Sequence, residues 1–132
     1  MKLAYPAIFT PFEDGAEGYV VEFPDLPGCV TEGYGIADAL FMAEDVASGW
    51  ILTELEDGKT PPKASEPQTV QAPTGGFVSM IRLDMDAYAE KYGQKSVKKT
   101  LTIPAWMNTY VEEHKISCSK VLQDAVNELI EA

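Results

Sequence analysis

One histidine, two cysteines and ten bases are all that this 132-residue chain offers for metal ligation, nucleophilic catalysis and phosphate binding. A Ser-His-Asp or Cys-His site would have to be built on His114. That residue falls near the end of a surface helix, where the helix dipole favours a solvated cation. Cys29 and Cys118 lie far apart with no CxxC spacing, so a structural zinc centre is not supported and both read as reduced thiols. There is no GxGxxG and no GxxxxGK[ST], the Gly-rich loops that cradle phosphates. Gly28, Gly33 and Gly35 read instead as turn glycines. No apolar run approaches the roughly 18 to 20 residues of a bilayer span, and the first residues lack a basic segment followed by a long apolar one. The expectation is a cytoplasmic protein with no membrane partner, no metal and no cofactor. Carboxylate pairs at Glu13/Asp14, Glu44/Asp45 and Asp84/Asp86 leave a magnesium-dependent nuclease as a rival. However, the first pair lies in a turn, the second on the solvent side of a helix, and the third resembles a helix cap.

Acid is abundant and unevenly placed. The net charge is −11; residues 1–96 hold six bases against 16 acids, a balance of −10, whereas residues 97–132 hold four bases against five acids. The front portion repels phosphate and suits a basic partner, although an acidic excess also serves solubility alone.

The pattern along the chain predicts an α+β fold. Lys2–Phe12 and Tyr19–Phe23 read as a hairpin closed by the turn residues of 13–18, with Pro6 and Pro11 marking an interruption or an open edge. Cys29–Thr31 begins a third strand. From Ile36 to Asp57 the period becomes helical, with Ile36, Leu40, Ala43, Ala47, Trp50, Ile51 and Leu55 as the apolar face. Gly58, Pro61 and Pro62 end that helix, and Gly49 inside it points to close packing against the sheet. Residues 59–76 read as an exposed proline-rich connector. Phe77–Met85 alternates as a fourth strand, with a short helix over Asp86–Tyr92.

The tail is organised around VKKTLTIP, Val97–Pro104, which alternates like a strand and precedes two helices. Roughly 28 further residues are too few to bury Leu101 and Ile103, so a second copy pairing through this strand is expected, with higher assembly left open. Trp106, Val111, Val121, Leu122, Val126 and Leu129 complete the expected core. Lys98, Thr100 and Thr102 then face outward as donors and acceptors suited to a DNA major groove. Ser117, Cys118, Ser119 and Lys120, at a helix start with free N–H groups, suit a DNA phosphate. Taken singly these features are ordinary ones: strand threonines, an edge lysine and a serine cap. Together, in this order, they favour DNA.

At FPDLPGCVTEGYGIADALFMAEDVASGWI, and over residues 19–62, the chain resembles the HicB antitoxin family. The resemblance implies that residues 1–93, including the 59–76 connector, form a partial RNase H-like module with a small antiparallel sheet and one long helix. It implies a partner, a small basic HicA toxin that cleaves messenger RNA, bound by the acidic module through residues the sequence does not single out. VKKTLTIPAWMNTYVEEHKISCSKVLQDAVNEL resembles the ribbon-helix-helix form of the family's C-terminus, implying that residues 97–132 dimerise, bind operator DNA and repress the operon. Lys98, Thr100 and Thr102 match the base-facing ribbon, and Ser117 to Lys120 the phosphate-binding helix start. Lys115-Ile116-Ser117 departs from the glycine usual between the two helices, so Lys115 must adopt a left-handed conformation or the turn must differ. Two other readings stay open: a stand-alone regulator with a ligand-sensing acidic module, and an RNase H-like nuclease.

Overall fold

The computed structural model describes residues 1–132, which divide into two compact units, Met1–Lys95 and Ser96–Ala132. In the first unit Tyr5, Ala7 and Phe9 alternate along β1 (Lys2–Pro11) and are all buried. With this inward row, β1 is one of the two inner strands of an antiparallel sheet ordered β3-β2-β1-β4, with β2 Tyr19–Glu22, β3 Val30–Gly33 and β4 Phe77–Asp84. Phe9 sits opposite Val21 on one side and Phe77 on the other, and the Phe9 and Phe77 rings stack at 4.9 Å. Pro6 does not interrupt β1. It pairs with Met80 of β4, while pairing to β2 begins only at Ile8, so the proline lies where one side of the strand is free of a ladder.

Helix α1 (Ile36–Glu56) covers the inward face. Its buried stripe is Ala39, Ala43, Ala47, Ile51 and Leu52, so the small alanines bring the helix backbone close to the sheet. Ile36 and Leu40, expected in the stripe, lie half open instead, because the buried line starts one turn position over at Ala39. Gly33 is no turn glycine. It ends β3, and a Cβ there would collide with the backbone of Ala39, so the close crossing of strand and helix requires glycine. The carboxylate of Asp38 accepts from the Tyr34 N–H at 2.8 Å, satisfying a donor just ahead of the helix. Gly49 is explained by a different neighbour than the sheet: a Cβ would come 3.3 Å from the hydroxyl of Tyr88, on α2 (Met85–Tyr92). That second helix is capped by Asp84, whose side chain accepts from the Ala87 N–H at 3.2 Å.

The 59–76 segment is not an exposed tether. Tyr5 donates its hydroxyl to the Pro62 carbonyl at 2.6 Å, and Asp25 accepts from both the N–H and the hydroxyl of Ser65, at 2.9 and 2.6 Å. A short 3-10 turn at Pro67–Thr69 follows. Prolines lower the entropy of the free chain, so a few such bonds suffice to seat the segment.

The second unit contains α3 (Ala105–Glu113) and α4 (Cys118–Glu131). Val97–Pro104 belongs to no sheet within the single chain, and the strand expected there is one that pairs with a second copy. A strand exists only through ladder bonds to a neighbour, and one chain supplies none at this segment.

Candidate DNA interface and partner surface

The tail segment leaves Lys98, Thr100 and Thr102 exposed, in sequence alternation with Leu101 and Ile103, which are exposed as well. No residue of α3 or α4 is buried. Trp106 is 70% and Leu129 76% exposed, and Val121, Leu122 and Val126 are open too; Val111 and Ile116 alone in the tail are half-buried. The apolar face expected to form a core is therefore uncovered in a single copy, a heavy cost in water at roughly 25 cal/mol per Å² of apolar surface.

The turn between these helices takes the left-handed form. Lys115 has φ 51°, the Ile116 N–H donates to the Val111 carbonyl at 2.9 Å, and the Lys115 N–H donates to Glu112 at 3.3 Å. This double bond pattern is a Schellman stop, with Val111 and Ile116 as its accompanying apolar pair. Ser117 caps α4, its hydroxyl accepting from the Lys120 N–H at 3.2 Å. The cap occupies the Lys120 N–H, and Cys118, Ser119 and Lys120 are all exposed at the helix start. The Lys120 ammonium lies 3.2 Å from Asp124, an exposed pair one helical turn apart that holds the lysine only weakly. His114 caps α3, its Nδ1 2.8 Å from the Tyr110 carbonyl and its ring stacked on Tyr110. The local turn thus accounts for the histidine.

In the acidic unit the carboxylate pairs proposed for a metal are spent separately or stand apart. Asp84 caps α2, Asp86 pairs with the N-terminal ammonium at 2.8 Å, and no three potential ligands converge. A different feature of this unit was not legible as a site. Phe41 lies outside the apolar stripe of α1 and is 72% exposed, standing between two open depressions. One, of about 310 Å³, lies toward α2 and is lined by Glu44, Asp45, Asp84, Tyr88 and Lys91 among others. The other, of about 420 Å³, lies toward β4 and is lined by Leu40, Glu44, Met80 and Arg82 among others. Burial, with the charge of Asp45 and the Tyr92 hydroxyl adding, raises the Tyr88 hydroxyl above its ordinary 10.0. The signal available in the sequence was an aromatic off the helical period.

The family described as the HicB-like antitoxin of bacterial toxin-antitoxin systems matches residues 5–126. This chain belongs to the HicB-like antitoxin family. The fold is similar to a chain of a toxin-antitoxin complex from Streptococcus pneumoniae, with TM-score 0.76 and 28% identity over 97% of this chain and 99% of that one. A chain of the HicA3 and HicB3 toxin-antitoxin complex matches 62% of this chain and 99% of its own length, with TM-score 0.51 and 25% identity. In sequence, an uncharacterised 14.9 kDa protein from the rep-hol intergenic region of Haemophilus phage HP1 is 28% identical over 98% of this chain and all of its own length. The likeness to the Streptococcus chain covers residues of both units of this HicB-family protein.

Proposed function

We propose that this HicB-family chain is a non-enzymatic antitoxin that binds and neutralises a HicA-like, messenger-RNA-cleaving toxin and, with it, represses its own operon in the cytoplasm. The observation that carries the reading is the family match across residues 5–126, joined to the near full-length likeness to a chain of a toxin-antitoxin complex. Unit 1, read as a partial RNase H-like module, holds the charge that a basic toxin would seek; opposite potentials speed encounter and exclude nucleic acid. Unit 2, read as a ribbon-helix-helix, has an uncovered apolar face and a segment of strand-like alternation with no ladder partner. A second copy answers both: two Val97–Pro104 segments pair, Leu101 and Ile103 turn onto the helices, and Lys98, Thr100 and Thr102 form the base-reading ribbon. Ser117 to Lys120 then clamp a phosphate on each side.

The test takes the product of the neighbouring reading frame, expected to be a small basic ribonuclease, and follows its cleavage of RNA with increasing amounts of this protein. Cleavage is expected to stop near stoichiometric addition. Undiminished cleavage at excess overturns the reading.

A further inference from the structure

We propose that the Phe41 ridge of α1, with the grooves on its two sides and the open edge of β4, is the surface that seats a basic protein partner. The proposal rests on the antitoxin reading and names the face that the toxin occupies. Three independent features converge there. Phe41 is the most exposed aromatic of the acidic unit, and Met80 beside the β4-side groove is 42% exposed, so apolar surface is open where a partner would cover it. The α2-side groove sets Glu44, Asp45 and Asp84 against a single lysine, Lys91, and no cation lies within ion-pair distance of any of the three carboxylates. An arginine or lysine from a partner would meet them in a partly desolvated setting. Finally, β4 pairs with β1 alone, so one side of this eight-residue strand presents unpaired backbone groups next to Met80 and Arg82.

Charge selects among occupants. A second copy would bring Glu44 and Asp45 against an equally acidic module, and nucleic acid would bring phosphate against them; both are repelled. A basic protein carrying an apolar seat for one aromatic ring satisfies ridge, grooves and edge at once.

The experiment measures binding of the full chain to a catalytically inactivated form of the neighbouring reading frame's product, the toxin expected under the antitoxin reading. Wild type must bind and must stop cleavage by the active toxin; if it does neither, the antitoxin reading itself fails. Given wild-type binding, Phe41→Asp is expected to raise Kd about 30-fold or more. The double change Glu44→Gln, Asp45→Asn should raise it about 10-fold and flatten its salt dependence. Val30→Asp, on the opposite edge strand and also exposed, should stay within about 3-fold of wild type, the effect of a rim contact. Phe41→Ala removes the ring without adding charge, and keeps the test decisive should the aspartate lower the thermal midpoint. Binding by both Phe41 variants within about 3-fold of wild type overturns this surface and leaves the antitoxin reading standing.

Discussion

Lys115 occupies after α3 the position that Gly58 occupies after α1. Both residues have positive φ, 51° and 76°, and both turns carry the same two hydrogen bonds. Lys59 and Gly58 donate to Glu54 and Leu55 in the first, at 2.9 and 3.0 Å, and Ile116 and Lys115 donate to Val111 and Glu112 in the second, at 2.9 and 3.3 Å. Glycine takes this conformation freely, whereas a Cβ costs about 1 kcal/mol or more. Lys115→Gly should therefore stabilise the tail by about 0.5 to 1 kcal/mol, part of the relief being offset by the entropy of glycine. Thermal unfolding of the full chain at two salt concentrations separates this from the lost charge. An unchanged or lowered midpoint contradicts it.

The uncovered tail face predicts a second copy. Ile103→Glu places a carboxylate where two chains would bury an isoleucine, and should weaken self-association about 100-fold or more. Light scattering over a dilution series reads the outcome: wild type dimeric, the variant monomeric. A wild-type monomer at tens of micromolar, or a variant that still dimerises, removes the ribbon pairing.

DNA contacts divide by chemistry. Thr100→Ala with Thr102→Ala should lower preference for operator over random DNA about 10-fold or more while sparing non-specific affinity. Lys120→Ala should weaken binding to all sequences alike and reduce the salt slope by about 1. Its pairing with Asp124 is exposed and does not compete strongly with a phosphate. Salt-dependent titrations of both variants against both DNAs decide, and equal operator retention by all of them dismisses these contacts.

Alkaline stability is set first by Cys29. Burial pushes its thiol from an ordinary 9.0 up to about 11. The unfolded chain therefore releases this proton first: the contribution to stability is whole below pH 9 and is lost as pH rises through about 11. Tyr5 and Tyr88 are raised from 10.0, chiefly by burial, and act in the same direction at higher pH. Urea midpoints between pH 7 and 10.5 should fall from about pH 9 in wild type and only from about pH 10 in Cys29→Ala. Superimposable profiles rule the thiol out.

Local signals carried much of this molecule. Alternation along Tyr5, Ala7 and Phe9, and along Phe77, Ile81 and Leu83, marks strands because side chains two apart share a face. Gly58 and Ser117 mark helix ends because each satisfies a backbone requirement within a few residues. The FPDLPGC turn and its flanks marked the family for the same reason, being contiguous. What sequence could not decide was anything resting on distant partners. Which line of α1 is buried depended on how closely β3 approaches at Gly33. Whether 59–76 lies free depended on Tyr5 and Asp25, some 40 to 57 residues away. Phe41 became a surface feature only when α2 and β4 were set on either side of it.

VKKTLTIP stands between these cases. Its alternation, its lysines and threonines and its place before two helices are determined by the sequence alone. Whether it is a strand is not, because a strand is a relation to a neighbour, and the folded single chain leaves this one without a ladder while leaving Leu101 and Ile103 in water.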